Sequence, residues 1–203
     1  GWDVRPGYSG EVISSKHAWR QSYDSLGART NLYYLSRPLI ATYGDSFTQN
    51  AEVNDDQTWQ VHLTRMIEAN VRNFGVGGYG PGQALLKFEK HAKQGLVSPI
   101  TIFGLIEHNI SRAHNRFSPF LSSDTRNKLG FKPRFLLKEG GLELLLNPLE
   151  RPTRDRAELK KLIRVAAEND YWYERNTEKI RIAPLFTLRL ADLGLLLAEG
   201  KRW

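Results

Sequence analysis

Three short apolar runs alternate with two stretches of helical periodicity, and this order limits the folds that the chain can adopt. The apolar runs lie at residues 39–43, 71–74 and 99–106. Runs of this length and β-propensity, bounded by glycine or polar residues, are typical of buried parallel strands. Strand, helix, strand, helix, strand is the order of right-handed βαβ units. The sequence therefore predicts a parallel sheet covered by helices on both faces.

The two segments between the predicted strands are expected to be amphipathic helices. Asn54 to Gln57 supplies N-cap side chains for the first helix, and the second ends near Gly95. The apolar positions that recur at helical spacing are Trp59, Leu63, Met66 and Ile67 in the first helix and Ala84, Leu85, Phe88 and Ala92 in the second. We expect His62 and His91 to lie on the helix surfaces.

The segments outside this core differ in character. Residues 1–38 lack sustained periodicity and predict an irregular N-terminal arm, followed by one domain over 39–203. Two apolar runs around Gly140-Gly141 predict a β-hairpin, which we interpret as an insertion at about 131–148. A charged helix is expected over 153–169 and a leucine-rich one over 185–198.

Composition excludes several classes of function. The net charge is +7, but no tract of five basic residues occurs, so we expect an ordinary basic surface and no nucleic-acid partner. The chain has no cysteine, which excludes disulfides and thiolate metal sites. No apolar run is long enough to span a bilayer, and neither a dinucleotide fingerprint nor a histidine pair on one helix face is present. We expect no cofactor and no metal.

The segment Gly44-Asp45-Ser46 directly follows the first predicted strand. In open α/β sheets, ligands bind beyond the carboxyl ends of the strands, where a serine hydroxyl would enter the crevice. The next helix can direct backbone N–H groups at an oxyanion. The alternative is that the tripeptide is an ordinary loop in which Asp45 or Ser46 caps a helix.

Two further segments follow the second and third strands, each about 30 residues beyond the last, the length of one βαβ unit. They are Asn73 to Gly78 and Glu107-His108-Asn109. Together with the serine tripeptide they resemble the SGNH (GDSL-like) hydrolase family. The resemblance implies that Ser46 is the nucleophile. It also implies that the Gly78 N–H and the Asn109 side-chain amide stabilise the oxyanion, since only glycine permits so close a backbone approach.

The resemblance has consequences for fold and function. It implies a three-layer α/β/α sandwich with a central parallel sheet, flavodoxin-like, with a β-hairpin insertion. It implies a serine ester hydrolase acting on acyl esters, including O-acyl groups on carbohydrate, or an acyltransferase with the same site. The segments at 25–29, 132–135 and 147–148 are similar to those of a bacterial subgroup whose members are often exported or membrane-tethered, which favours an exported or periplasmic location.

The chain also departs from the family pattern. Asn109 is followed by Ile110 and preceded by His108, so a neutral His108 N–H is an alternative oxyanion donor. The Asp-x-x-His block that would supply the general base does not occur. Either the domain is C-terminally incomplete, which we expect, or the protein is a non-catalytic relative that binds or scaffolds an acidic polymer through its basic surface.

Overall fold

The computed structural model is mixed α/β and forms two compact units. The described residues are 2–14, 17–31, 33, 37–121, 130–149, 153 and 155–173. The first unit comprises residues 3–109, and the second comprises residues 110–203 with the first two residues. This division differs from the prediction of one domain after residue 38. The predicted helix at 185–198 lies outside the described residues.

The N-terminal segment contains an antiparallel pair of strands, β1 (Ser9–Ile13) and β2 (Ala18–Ser22). They pair in the register that joins Ser9 to Ser22. The prediction of a wholly irregular arm is therefore wrong for these residues. Both strands alternate between exposed and half-buried positions, and only Ser22 is buried. The sequence signal for a strand is alternation of apolar and polar residues, which arises when one face of the strand is buried. These two strands have no such buried face, so the sequence did not reveal them.

A three-stranded parallel sheet forms the centre of the first unit. Its strands are β3 (Ile40–Tyr43), β4 (Val71–Asn73) and β5 (Ile100–Phe103), in the order β4-β3-β5. Central β3 is fully buried, whereas β5 is exposed at both of its ends. The three predicted strands and their parallel pairing are confirmed.

Helices connect the strands as the alternating pattern predicts. Between β3 and β4 lie α1 (Ser46–Gln49), a 3₁₀ turn (Asp55–Gln57) and α2 (Trp59–Ile67). Between β4 and β5 lies α3 (Pro81–Lys93), which has Pro81 in its first turn. Among the helices that the structure describes, none has the length and apolarity needed to cross a membrane.

The buried face of α2 is not the one that the apolar spacing indicates. Met66 is 81% exposed, and the buried residues of the helix are Gln60, Val61 and Thr64. The Gln60 side-chain amide donates to Thr42 Oγ1 at 3.1 Å and to the Thr48 carbonyl at 2.7 Å. Hydrogen bonds to the sheet and to α1 therefore accompany the burial of this helix.

The expectation that His62 and His91 lie on the helix surfaces is confirmed for His62 and wrong for His91. His62 on α2 is exposed, but His91 is buried and its Nδ1 lies 3.0 Å from the Tyr43 hydroxyl. The Phe74 ring lies 4.3 Å from the His91 ring, between centroids. Burial, aided by the positive charge of Lys87, lowers the pKa of His91 to about 4. His91 is therefore neutral in the folded protein at neutral pH.

The second unit contains the predicted hairpin. Beyond α4 (His108–Ala113) come α5 (Ser118–Leu121), strands β6 (Arg134–Lys138) and β7 (Gly141–Leu145), and α6 (Arg156–Ala167). The strands pair antiparallel, and Gly141 in their turn has a φ of +120°. The core consists of Phe117, Phe120, Phe131, Leu159, Ile163 and Ala166. Trp172 and Tyr173 pack against it.

A buried arginine joins the N-terminal segment to the sheet and to the loop after α1. The backbone N–H of Arg29 donates to the Asn73 carbonyl at 2.8 Å, and its Nε lies 3.0 Å from Asp55 Oδ1. The rest of its guanidinium donates to the backbone carbonyls of Arg20, Gln49, Asn50 and Val53. The guanidinium thus joins β2 to the segment at residues 49–55, while the Arg29 backbone joins the N-terminal segment to β4.

We predict that Arg29→Lys destabilises the protein by about 3 kcal/mol, since a lysine offers a single ammonium in place of a five-donor fork and leaves Asp55 and several carbonyls unsatisfied. Urea unfolding measures the change. Arg20→Lys, at an exposed position on β2, is the matched control and should change stability by less than about 0.5 kcal/mol. Equal stability of the two variants would contradict the role given to Arg29.

The buried histidine predicts a pH dependence of stability. The pKa of His91 is lowered from 6.5 to about 4 on folding, so the unfolded chain binds more protons between these values. Its contribution is therefore complete above about pH 6.5 and is lost as the pH falls towards 4. Between pH 7.5 and 4.5 the wild type should lose about 2 kcal/mol more than His91→Gln. His62→Gln should follow the wild type. Parallel curves for wild type and His91→Gln would refute this assignment.

Candidate functional site

Ser46 is the first residue of α1 and directly follows the loop that leaves β3. Asp45 is the N-cap, and its Oδ1 accepts a hydrogen bond from the Phe47 backbone N–H at 2.9 Å. The alternative interpretation of the tripeptide as a helix cap therefore describes Asp45 correctly. Ser46 itself is half-buried, and Phe47 beside it is exposed. The hydroxyl-bearing residue thus sits at the carboxyl edge of the sheet.

The glycines of the loops after β3 and β5 permit these loops to touch. A Cβ on Gly44 would lie 2.1 Å from Thr48 Oγ1 and 2.8 Å from the Gly104 carbonyl oxygen. A Cβ on Gly104 would also meet Thr48 Oγ1, at 2.2 Å. Any side chain at either position would displace the neighbouring backbone or Thr48. The close approach of the two loops therefore requires glycine at both positions.

The loop after β4 lies against the same region. The Val76 backbone N–H donates to the Gly44 carbonyl at 3.0 Å, and a Cβ on Gly75 would lie 2.3 Å from the Gln49 nitrogen. The Tyr79 N–H then donates to the Val76 carbonyl at 3.1 Å, which closes a four-residue turn. Gly78, the third residue, has a φ of +76°, the value of a type II turn, which favours glycine at this position.

Asn109 connects all three loops through its side chain. It is 4% exposed, and its Nδ2 lies 3.2 Å from Asp45 Oδ2 and 3.3 Å from the Tyr79 carbonyl oxygen. Its Oδ1 accepts a hydrogen bond from the Ile106 N–H at 2.6 Å. The amide therefore contacts the residue before Ser46 and the residue after Gly78.

Of the two candidate donors after β5, the structure brings Asn109 to the other loops and leaves His108 exposed. Both amide protons of Asn109 already have acceptors in this structure, Asp45 and Tyr79. The sequence did not predict either of these two acceptors. Asp45 belongs to the tripeptide that the sequence singles out, but no pattern indicates that a backbone carbonyl would complete the arrangement.

In the described part of the chain, the histidine side chains contact groups other than Ser46 or are exposed. His91 is bonded to Tyr43, His17 Nε2 lies 3.0 Å from the Glu52 carbonyl oxygen, and His62 and His108 are exposed. His114 lies in the second unit, with its Nδ1 3.4 Å from an Arg134 guanidinium nitrogen. Across the described ranges, no group of three or more His, Asp or Glu side chains is placed to hold a metal ion.

Comparison with known proteins returned no relatives. A scan against protein-family models, a search of curated proteins and a search of solved structures each found no significant match to this chain.

Proposed function

We propose that the protein is a serine ester hydrolase of the SGNH type. In the proposed reaction the Ser46 hydroxyl attacks the carbonyl carbon of an acyl ester, and its proton passes to a general base. The Gly78 N–H and the Asn109 amide donate to the carbonyl oxygen as it gains negative charge. The ester C–O bond then breaks, the alcohol leaves with the proton, and water hydrolyses the acyl-serine by the same steps.

The observation that carries the proposal is the position of the Asn109 amide. Its Nδ2 is within 3.3 Å of both Asp45 and Tyr79, the chain neighbours of Ser46 and Gly78. An oxyanion hole requires N–H donors directed at one point beside the nucleophile. The resemblance of the three motifs to the SGNH family assigns the same three residues to these roles.

The strand order supports the proposed location of the site. In the order β4-β3-β5 the first parallel strand lies between the second and the third, as at the start of a flavodoxin-like sheet. The connections change direction between β3 and β5, and ligands bind outside the carboxyl ends of strands at such a switch point. Ser46 follows β3 and Asn109 follows β5. We therefore propose a three-layer α/β/α sandwich of the SGNH class for the first unit.

Oxyanion binding requires one rearrangement at Asn109. The bond from Nδ2 to the Tyr79 carbonyl is the longer of its two, at 3.3 Å. We propose that the incoming oxyanion takes over or shares this N–H, while the bond to Asp45 holds the amide in place. A charged acceptor forms a stronger hydrogen bond than a neutral carbonyl, so the exchange favours the transition state over the substrate.

The substrate class follows from the family resemblance alone. We propose acyl esters, including O-acyl groups on carbohydrate, and a base provided by a histidine outside this chain. An acyltransferase would use the same residues, with a sugar hydroxyl in place of water. The second candidate is a non-catalytic binding or scaffolding protein. One observation favours it: within the described residues no histidine contact leads to Ser46.

The first test is covalent labelling of the 203-residue chain with a fluorophosphonate. Without its general base Ser46 is a weak nucleophile, and an oxyanion hole alone retains only about 10³-fold to 10⁴-fold of the rate enhancement over water. We therefore expect slow labelling and little p-nitrophenyl acetate hydrolysis. Mass spectrometry should locate the adduct on Ser46. Ser46→Ala should abolish it, and Ser9→Ala, at an exposed serine, should not. Labelling that survives Ser46→Ala would reject the proposal.

The second test separates the two candidate oxyanion donors. Asn109→Ala should lower the labelling rate by about 100-fold, the effect of losing one oxyanion donor. His108→Ala, which changes an exposed neighbour, should leave the rate unchanged. Thermal unfolding of both variants shows whether the fold survives. The opposite result, a loss with His108→Ala alone, would transfer the role to His108.

A further inference from the structure

An ion pair between a buried lysine and a partly exposed aspartate lies next to the loop that carries Gly78, and the proposed reaction does not use it. Lys87, on α3, places its Nζ 2.7 Å from Asp3 Oδ1. The lysine side chain is 5% exposed and the aspartate side chain 44%. Burial lowers the pKa of Lys87, and the nearby Asp3 carboxylate opposes that shift. The N-terminal segment thus contributes the counter-charge that a buried lysine requires.

The same carboxylate reaches the oxyanion loop through Tyr79. The phenol of Tyr79 is hydrogen-bonded to Asp3, and the residue as a whole is buried. Burial raises the pKa of this phenol, and the negative charge of Asp3 raises it further. The hydroxyl is therefore protonated and donates to the carboxylate. Asp3 consequently has two partners, an ammonium on α3 and a phenol on the residue after Gly78.

Tyr79 is held on its main-chain side as well. Its N–H closes the turn onto Val76, and its carbonyl accepts from the Asn109 amide. In a turn of this kind the peptide between the second and third residues, Gly77 and Gly78, can take two opposite orientations, types I and II. The two orientations direct the Gly78 N–H to opposite sides of the turn. Tyr79, whose side chain, N–H and carbonyl all have partners, is the last residue of this turn.

We infer that Asp3 is a positioning residue: through Lys87 and Tyr79, the Asp3 carboxylate fixes the type II turn in which the Gly78 N–H is presented to the oxyanion. This inference rests on the proposed role of Gly78. It assigns a function to the first residues of the chain, which a sequence pattern would treat as a lead-in. It also explains why a lysine is buried on α3 instead of exposed to water.

The experiment measures the Gly78 amide directly, in the 203-residue protein labelled with ¹⁵N. In Asp3→Asn the Gly78 amide signal should shift or broaden, and its hydrogen exchange should accelerate at least tenfold. Gly95 is the internal control because it also has a positive φ, +72°, but follows the far end of α3. Its signal should not change. Tyr79→Phe, which removes only the hydroxyl, should reproduce the effect at Gly78.

Two further variants separate positioning from stability. The double variant Asp3→Asn with Lys87→Met removes both charges and leaves no unpaired buried cation. Its thermal stability should therefore be higher than that of Asp3→Asn alone, while the Gly78 amide signal should stay perturbed. Asp56→Asn removes the same charge from an exposed position and should leave Gly78 unchanged. An unchanged Gly78 amide in Asp3→Asn would overturn the inference. So would a Gly78 signal that recovers together with stability in the double variant.

Fluorophosphonate labelling then distinguishes this inference from the proposed function. If Ser46 labels in the wild type, Asp3→Asn should slow labelling about tenfold, less than the loss of a whole oxyanion donor. Normal labelling in Asp3→Asn would refute the positioning role and leave the esterase proposal intact. If the wild type does not label at Ser46 but Gly78 responds to Asp3→Asn, the esterase proposal fails while the structural coupling stands.

Discussion

The side-chain amide of Asn109 hydrogen-bonds both to Asp45 and to the Tyr79 carbonyl, so that one buried group joins the loops that follow the three parallel strands. The rest of the site is arranged around this contact. Asp45 can accept from Asn109 because its other oxygen caps α1 and thereby fixes the start of the helix at Ser46. Tyr79 can accept because the turn through Gly78 brings its carbonyl towards the strand edge.

Buried polar groups dominate the surroundings of the site. Arg29 joins the N-terminal segment to the end of α1 and the loop after it, Gln60 joins α2 to α1, and Lys87 joins α3 to Asp3. Burying such a group without hydrogen-bond partners costs free energy. Removing one partner therefore destabilises the protein by more than the hydrogen bond itself contributes. The loops are therefore held by directional bonds that admit few alternative geometries. This property suits a site that must position donors for a developing charge.

Sequence patterns were sufficient for the parts of the fold that depend on apolar burial. The strands at β3, β4 and β5 and the β6–β7 hairpin stand out because apolar runs and glycine turns produce them. The buried faces of α2 and α3 do not, because Gln60 and His91 are polar and are buried through partners distant in sequence. The β1–β2 pair has no apolar face to detect. At the site, glycine and asparagine positions were recognisable from motif spacing, whereas Asp3 and Tyr79 are far apart in sequence and their link leaves no local pattern.

The measurement that tests the account most directly is a crystal structure of the chain with Ser46 phosphonylated. The account predicts that one phosphonyl oxygen lies about 2.7–3.1 Å from both the Gly78 nitrogen and Asn109 Nδ2, with the Asn109 amide still bonded to Asp45. A phosphonyl group whose oxygens all point to solvent, with the amide still bonded to the Tyr79 carbonyl, would contradict it.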